Sequence, residues 1–389
     1  MTAFALEPEQ RQWCRQLRTL AVETLRPLAA HADLPPGAVN RPLLAALGDH
    51  GLIRRLLPAT APEGAGGVPG EGSGGENRAL ETCLLRESLA YGCTEAETAL
   101  ALQGLGATPV ALYGSAAARE RWLPEVSAGR AVAAFALSEP EAGSDAAALA
   151  LRAEPDGAGW RLTGSKKWIS NAPCADFYSV FARTGEGPGA RGVTAFLVPA
   201  DRPGLTGKPL TMLSPHPIGS LAFDAVPVTA EDRLGDSGGG FTVAMRTLNR
   251  FRPSVGAFAV GMAQSALDAA LDHAARRSAF GGALRDLQSV GHQLAEMATR
   301  TEAARLLVYA AAAALDRDDP DIALRSAMAK LQATETAQYV VDAAVQIHGA
   351  AALELGHPLE HLYREVRAPR IYEGATEVQR SIIAKQLYA

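Results

Sequence analysis

The sequence predicts an α+β fold that is mostly α. It divides into an N-terminal α-helical domain over residues 1–128, a middle β-barrel-like domain over 129–233 and a C-terminal four-helix bundle over 234–389. Three observations point there. Apolar residues recur at helical spacing up to about residue 128 and again from about Gly240, while the stretch between consists of short apolar runs separated by turn residues. A chain of 389 residues exceeds one ordinary hydrophobic core, so several packed units are expected. Helices and strands come in blocks, with no βαβ alternation, which argues against a Rossmann arrangement.

In order, residues 7–28 carry one apolar stripe of Trp13, Leu17, Leu20, Ala21, Leu25 and Leu28. Pro35-Pro36 interrupts it, and 43–52 reads as a short helix. The glycines of 62–75 suggest a phosphate cradle, but their spacing is not G-x-G-x-x-G and no strand leads into them, so the run reads as a mobile surface loop. Helices follow over 77–91, 95–113 and 116–128. Strands are expected over 132–137, 149–153, 160–163, 167–170, 177–182, 193–198 and 220–223, with Pro155-Asp156-Gly157 as a hairpin signal. Beyond Gly240, one helical stripe holds Ala263, Leu267, Ala270, Leu271 and Ala274, and a second begins at Leu294, Met297, Ala298 and Thr301. Asp318-Asp319-Pro320 stops one helix and starts the next, with Pro accepted at its first position. The alanine content suggests closely packed helices.

Composition narrows the function. Hydrophobic residues are 48% and charged residues 20%, ordinary for a globular enzyme. The net charge of −5 gives no electrostatic footprint for nucleic acid or anionic membrane. The N-terminus lacks a basic segment followed by an apolar core, and no run of about 18 apolar residues suggests a membrane span. Four scattered cysteines without a C-x-x-C pair fit reduced thiols in a cytoplasmic protein.

Tyr372-Glu373-Gly374 follows a basic run of Arg364, Arg367 and Arg370 and leads into an amphipathic tail. A carboxylate on such a turn could be a general base, and Gly374 would admit a ligand close to the backbone. It could equally be a glutamate favoured at a helix N-terminus. Gly235-Asp236-Ser237-Gly238-Gly239 spells a serine-protease nucleophile motif, but here it joins the β region to a helix and reads as a linker. His348, His357 and His361 have no cysteine or acidic cluster at ligand spacing, so no metal is expected.

A set of stretches acts together: Phe135-Ala-Leu-Ser-Glu-Pro-Glu-Ala-Gly-Ser-Asp145, Trp160 to Asn171 with Trp168 beside Ser170, Arg277-Ser-Ala-Phe-Gly281 with Gln288, Gln346-Ile-His-Gly349, and the Glu373 segment. In order and spacing these resemble the acyl-CoA dehydrogenase family over nearly the whole chain. The resemblance implies FAD held between the β domain and the C-terminal bundle. It places Phe135, Leu137, Ser138, Gly143, Ser144, Trp168, Ser170, Gln346, Gly349, Ala350, Ala375 and Glu377 on the cofactor. Ser138 would meet the pyrimidine ring, Ser144 the pyrophosphate and Ser170 the flavin N5. Trp168 would stack on the isoalloxazine, worth about 1 kcal/mol beyond its area, or else be a core tryptophan. Arg277, Phe280 and Gln288 would reach FAD in a neighbouring subunit, which makes a homo-oligomer, dimer or homotetramer, part of function.

The implied reaction is α,β-dehydrogenation of an acyl-CoA thioester, with Glu373 as α-proton base and flavin N5 as hydride acceptor. Ser144, Phe251, Arg252, Tyr372, Glu373 and Gly374 would touch substrate, and the Glu373 backbone N–H would polarise the thioester carbonyl. Relatives that lack this glutamate carry one just before an arginine on an earlier helix. Phe251 stands there, before Arg252, and cannot serve as a base. Departures from the family pattern are Glu141, Ala350, Ala352 and Ala375. Electron-transfer flavoprotein is the implied acceptor. The alternatives are the same chemistry on a carrier-protein-tethered acyl or aminoacyl group, and a non-catalytic flavoprotein serving assembly or regulation.

Overall fold

The computed structural model describes residues 6–30, 34–35, 37–58, 79–185, 187–214 and 216–388. The glycine-rich run at 62–75 lies outside them. Two compact units emerge, one from the described residues of Met1–Pro27, Arg78–Glu97 and Asn249–Ala389, the other from those of Leu28–Asn77 and Thr98–Leu248.

The chain opens with α1 (Pro8–Leu20), where a capping box between Glu7 and Gln10 satisfies early N–H groups. A π-helical turn, Ala21–Leu25, continues it into α2 (Arg26–Ala30). The single stripe read over 7–28 is therefore one helical run with a local insertion. The expected helix at 43–52 is two short helices, α3 (Arg41–Asp49) and α4 (Leu52–Leu56), because Gly51 takes φ 67° between them. Asn40 caps α3 by accepting from the Leu43 N–H at 3.0 Å. Then come α5 (Ala79–Gly92), α6 (Thr94–Tyr113) and α7 (Ala116–Ser127), the last capped by Ser115.

The strands are β1 (Ala133–Ala136), β2 (Arg152–Asp156), β3 (Gly159–Ser170), β4 (Phe177–Arg183), β5 (Val193–Pro199), β6 (Leu205–Pro209), β7 (Ile218–Thr229) and β8 (Arg233–Leu234). They form one sheet in the order β6-β7-β3-β2-β4-β5-β8, with β1 parallel to β4. The Pro-Asp-Gly signal makes the β2–β3 hairpin, closing at Asp156 opposite Gly159. β4 and β5 are buried along nearly their whole length, which is why they read as continuous apolar runs. β6 was not legible in the sequence. It is an edge strand with four of five residues exposed, so it carries no apolar alternation. The register between β3 and β7 shifts between Lys166 and Ile169, a bulge that contains Trp168.

The remaining helices are α8 (Gly240–Arg276), α9 (Gln288–Asp316), α10 (Ile322–His348), α11 (Pro358–Glu365) and α12 (Thr376–Leu387). Pro320 lies in the turn before α10 and not at its first position. Between α8 and α9 sits a small hairpin, β9 (Ser278–Ala279) and β10 (Gly282–Ala283). The core of this unit is largely alanine: Ala259, Ala263, Ala266 and Ala270 of α8 pack with Ala311 and Ala312 of α9 and Ala333 and Ala337 of α10. Small side chains let the helix axes approach, and a Cβ on Gly261 would sit 2.4 Å from the Glu87 carbonyl of α5. Against the sequence expectation, α8 is long and apolar enough to cross a membrane by length and composition. In the fold, 72% of its most apolar 18-residue window is buried inside the protein, as for a core helix.

Candidate active site

Glu373 lies on the turn between α11 and α12, with φ 51°, followed by Gly374 at φ 95°. A non-glycine residue there costs about 1–3 kcal/mol, so the surroundings must hold it. They do so from three directions. Lys330 of α10 donates from Nζ to the Tyr372 carbonyl at 3.1 Å and the Gly374 carbonyl at 2.7 Å. The Gln379 amide of α12 donates to the Gly374 carbonyl at 2.9 Å. Glu335 of α10 accepts from Arg370 at 3.0 Å and from the Thr376 hydroxyl at 2.7 Å, pinning both sides of the turn.

The helix-capping reading of Glu373 does not hold. The N-cap of α12 is Ala375, and no side chain caps it. The Glu373 carboxylate instead turns inward. Its Oε2 is buried and has no hydrogen-bond partner among the described residues. Burial pushes its pKa up, opposed by the positive charges of Arg86, Lys330 and Arg252. Arg86 of α5 is itself buried, ion-paired with Glu97 of α6 and donating to the Ser254 hydroxyl at 2.6 Å. Burial drives Lys330 down to about 8, against the pull of Glu373. Arg252 is pushed down for the same reason, and its buried Nε has no partner among the described residues. Phe251, beside it on α8, is fully enclosed. Tyr372 keeps 38% of its surface exposed, yet burial of its phenol end raises the hydroxyl well above its usual range, helped by the Glu97 charge. One unit thus brings together Phe251, Arg252, Tyr372, Glu373 and Gly374 of the expected substrate set, with Ala375 and Glu377 at the start of α12.

The β-sheet unit collects a second group. Phe135 and Leu137 lie at and just after the end of β1, Ser138 follows, and the Lys167 N–H donates to the Ser138 carbonyl at 3.1 Å. That bond sets Trp168 and Ser170 of β3 beside Ser138. Trp168 has φ 58° and is 44% exposed, so it is not a core tryptophan. Beneath the strand end, the buried Lys166 donates to the Leu137 carbonyl at 2.9 Å and pairs with Glu139 at 2.8 Å. Glu139 also accepts the N–H groups of Ala150 and Leu151. An exposed aromatic side chain on a bulge, with two serines on the adjoining backbone and a brace from below, suits a flat ring system with polar rims such as a flavin. Gly143, Ser144 and Glu141 are exposed on the adjoining turn, so the larger Glu141 side chain meets only solvent.

A third group lies at the far end of the bundle. Arg277 and Gln288 are exposed, and Phe280, with φ 53°, is 93% exposed at the tip of the β9–β10 hairpin. Gln346, Gly349 and Ala350 are also exposed, where α10 ends at Gly349. The two sets share this end because His273 of α8 stacks on His348 of α10 at 4.1 Å. Ala352 is buried. Among the described residues no group of three His, Cys, Asp or Glu could hold a metal.

Sequence reasoning missed Lys330, Arg86, Glu97, Glu335 and Gln379. Lys330 left one signal: a lone lysine on the alanine stripe of a core helix. Arg86 and Glu97 left none, since their pairing depends on how two helices meet.

The chain matches the family description "Acyl-CoA dehydrogenase, N-terminal domain" over residues 7–130, the middle domain over 134–226 and the C-terminal domain over 238–388. It belongs to the acyl-CoA dehydrogenase family and is an oxidoreductase of that flavoprotein class. It is 36% identical to the bovine mitochondrial short-chain specific acyl-CoA dehydrogenase, over 98% of this chain and 90% of that one. The fold superposes on butyryl-CoA dehydrogenase from Megasphaera elsdenii with TM-score 0.87 and 32% identity, covering 99% of this chain and 100% of that one. It superposes on PigA, solved with FAD and proline, with TM-score 0.89 and 26% identity, covering 99% of each.

Proposed function

We propose that this enzyme converts an acyl-CoA to the trans-2-enoyl thioester with FAD as cofactor, working as a cytoplasmic homo-oligomer that passes electrons to an electron-transfer flavoprotein. The observation that carries the reading is Glu373: a buried carboxylate oxygen without a partner, on a strained and heavily braced turn. FAD supplies the hydride acceptor at flavin N5. Phe135, Leu137, Ser138, Trp168 and Ser170 hold the flavin ring, Gly143 and Ser144 the pyrophosphate, and Ala375 and Glu377 border the cofactor at the start of α12. Arg277, Phe280, Gln288, Gln346, Gly349 and Ala350 serve the cofactor of a neighbouring subunit. Their exposure in the single chain fits residues that await a partner.

Glu373 takes the α-proton of the thioester. Desolvation makes it a stronger base than an ordinary carboxylate, while the positive charges of Arg86, Lys330 and Arg252 oppose that rise and favour its ionised form. The Glu373 backbone N–H polarises the thioester carbonyl, the part of the site where charge develops. The enclosed Phe251 limits the acyl end, which favours short, branched or cyclic groups.

The test is an anaerobic visible spectrum with a panel of acyl-CoAs. Bleaching of the flavin by one of them in the wild type, and none in Glu373→Gln, is expected; equal bleaching in the variant would sink the base assignment. The likeness to PigA, whose structure contains proline, favours a second reading in which the oxidised group is an aminoacyl group, for which a carrier-protein tether is the alternative to CoA. Bound flavin that ignores every acyl-CoA but bleaches with a loaded carrier protein would select it.

A further inference from the structure

We propose that Lys330 is a positioning residue for the dehydrogenation: by gripping the Tyr372 and Gly374 carbonyls together, it fixes the direction in which the Glu373 N–H is offered to the thioester oxygen. The inference deepens the function proposed above and rests on it. The Tyr372 carbonyl and the Glu373 N–H belong to one planar trans peptide, so they point in opposite directions. Holding the carbonyl at 3.1 Å from Lys330 therefore aims the N–H away from α10. Among the described residues that N–H donates to no backbone carbonyl, so it is available to a ligand. The left-handed pair at Glu373 and Gly374 curls the Gly374 carbonyl back onto the same ammonium at 2.7 Å.

The residue type supports this role. Lys330 is completely buried on a helix otherwise rich in alanine, between Ala329 and the Ala333 and Ala337 that pack in the core. A buried ammonium is costly unless its donors are used. Two of them meet the flanking carbonyls of the base, and its charge faces the Glu373 carboxylate. An apolar side chain would leave the Tyr372 carbonyl without its donor and the Gly374 carbonyl with Gln379 alone, and would release the strain at Glu373. Gln379 holds only the Gly374 side well, so it does not replace Lys330 at the peptide that carries the N–H.

The experiment compares FAD-loaded wild type, Lys330→Met, Lys330→Arg and Glu373→Gln by infrared difference spectroscopy of bound 3-thiabutyryl-CoA, labelled with carbon-13 at the thioester carbonyl. This analogue can lose its α-proton but is not oxidised. Wild type and Glu373→Gln are expected to shift the carbonyl band to lower frequency, because glutamine keeps the backbone N–H. Lys330→Met is expected to lose the shift, with kcat on butyryl-CoA down about 100-fold and KM changed only a few-fold. Lys330→Arg is expected to restore part of both. A wild-type band in Lys330→Met would overturn the inference and leave the base assignment standing. Loss of FAD and of thermal stability to the same degree in Lys330→Met and Lys330→Arg would overturn it in favour of a purely structural lysine. Retained α-deprotonation in Glu373→Gln, seen as the long-wavelength charge-transfer band, would instead mark failure of the underlying base assignment.

Discussion

Two stretches of α10 stand in contrast. Lys330, in its first half, and Glu335, at its middle, brace a turn on which Glu373 is strained, has one buried carboxylate oxygen and feels three cations. At the C-terminal end of the helix, roughly 28 Å beyond Lys330 at about 1.5 Å per residue, Gly349, Ala350 and the neighbouring β9–β10 hairpin lie in the open. The first region is held by hydrogen bonds within one chain. The second presents Arg277, Phe280 and Gln288 as exposed side chains. On the function proposed above, the difference teaches that the turn is held by contacts within the chain, whereas the hairpin end would draw its partners from a neighbouring subunit. Residues of the first kind should act on rate, and residues of the second on binding.

The sharpest test of that division is Glu373→Gln. Removing a general base is worth about 10²–10⁴-fold. We expect kcat to fall about 10³-fold while the bound-flavin spectrum and melting temperature stay near wild type. A large loss of FAD in this variant would break the contrast, because it would make the turn part of the cofactor's binding energy. Arg277→Ala should do the reverse. Loss of a charged hydrogen bond costs about 1.5–3 kcal/mol, so FAD affinity should weaken roughly 10- to 100-fold, with kcat at saturating FAD unchanged. Isothermal titration of apoenzyme with FAD measures it. Unchanged affinity would mean that the exposed hairpin serves no cofactor.

A gentler probe is pH. Glu373 must be ionised to accept a proton, and burial raises its pKa, so kcat/KM should drop tenfold per unit below that raised value. Lys330, lowered to about 8, loses its charge as pH rises through that value, and the grip on the turn weakens with it. The charges facing it are Glu373 on the turn, Glu377 on α12, Glu335 on its own helix and Arg252 on α8. A bell-shaped profile with its alkaline limb near 8 is expected, and the limb should move upward in Lys330→Arg. An alkaline limb indifferent to that substitution would assign it to another group. The smallest effect belongs to Phe251→Ala. Opening space beside Arg252 should shift preference towards longer acyl chains by a few-fold in kcat/KM, read across a series of acyl-CoAs. An unchanged chain-length profile would remove Phe251 from the acyl pocket.

Much of the fold was legible because burial writes itself into periodicity. The stripe of α8 and the continuous apolar runs of β4 and β5 announced their surroundings. The edge strand β6 and the split at Gly51 were not legible, since exposure leaves no pattern and a single left-handed residue can divide a helix. At the candidate site, Glu373 and Trp168 were named from their motifs, but the motifs did not reveal what holds them. The bulge that turns Trp168 outward depends on its pairing with β7, and the brace under Ser138 depends on Lys166 of β3 meeting Glu139 of the turn after β1.

By itself, then, the sequence determined the mostly helical α+β class, the helix–strand–helix order, the family and the identity of the carboxylate at 373. Local pattern suffices for these because they depend on residues close together in the chain. Only the tertiary structure decided that one oxygen of this carboxylate is buried without a hydrogen-bond partner among the described residues, and that Arg86, Arg252 and Lys330 converge on it. Those three residues come from different helices, and a charge is strengthened or weakened by what surrounds it in space, which no spacing along one chain records.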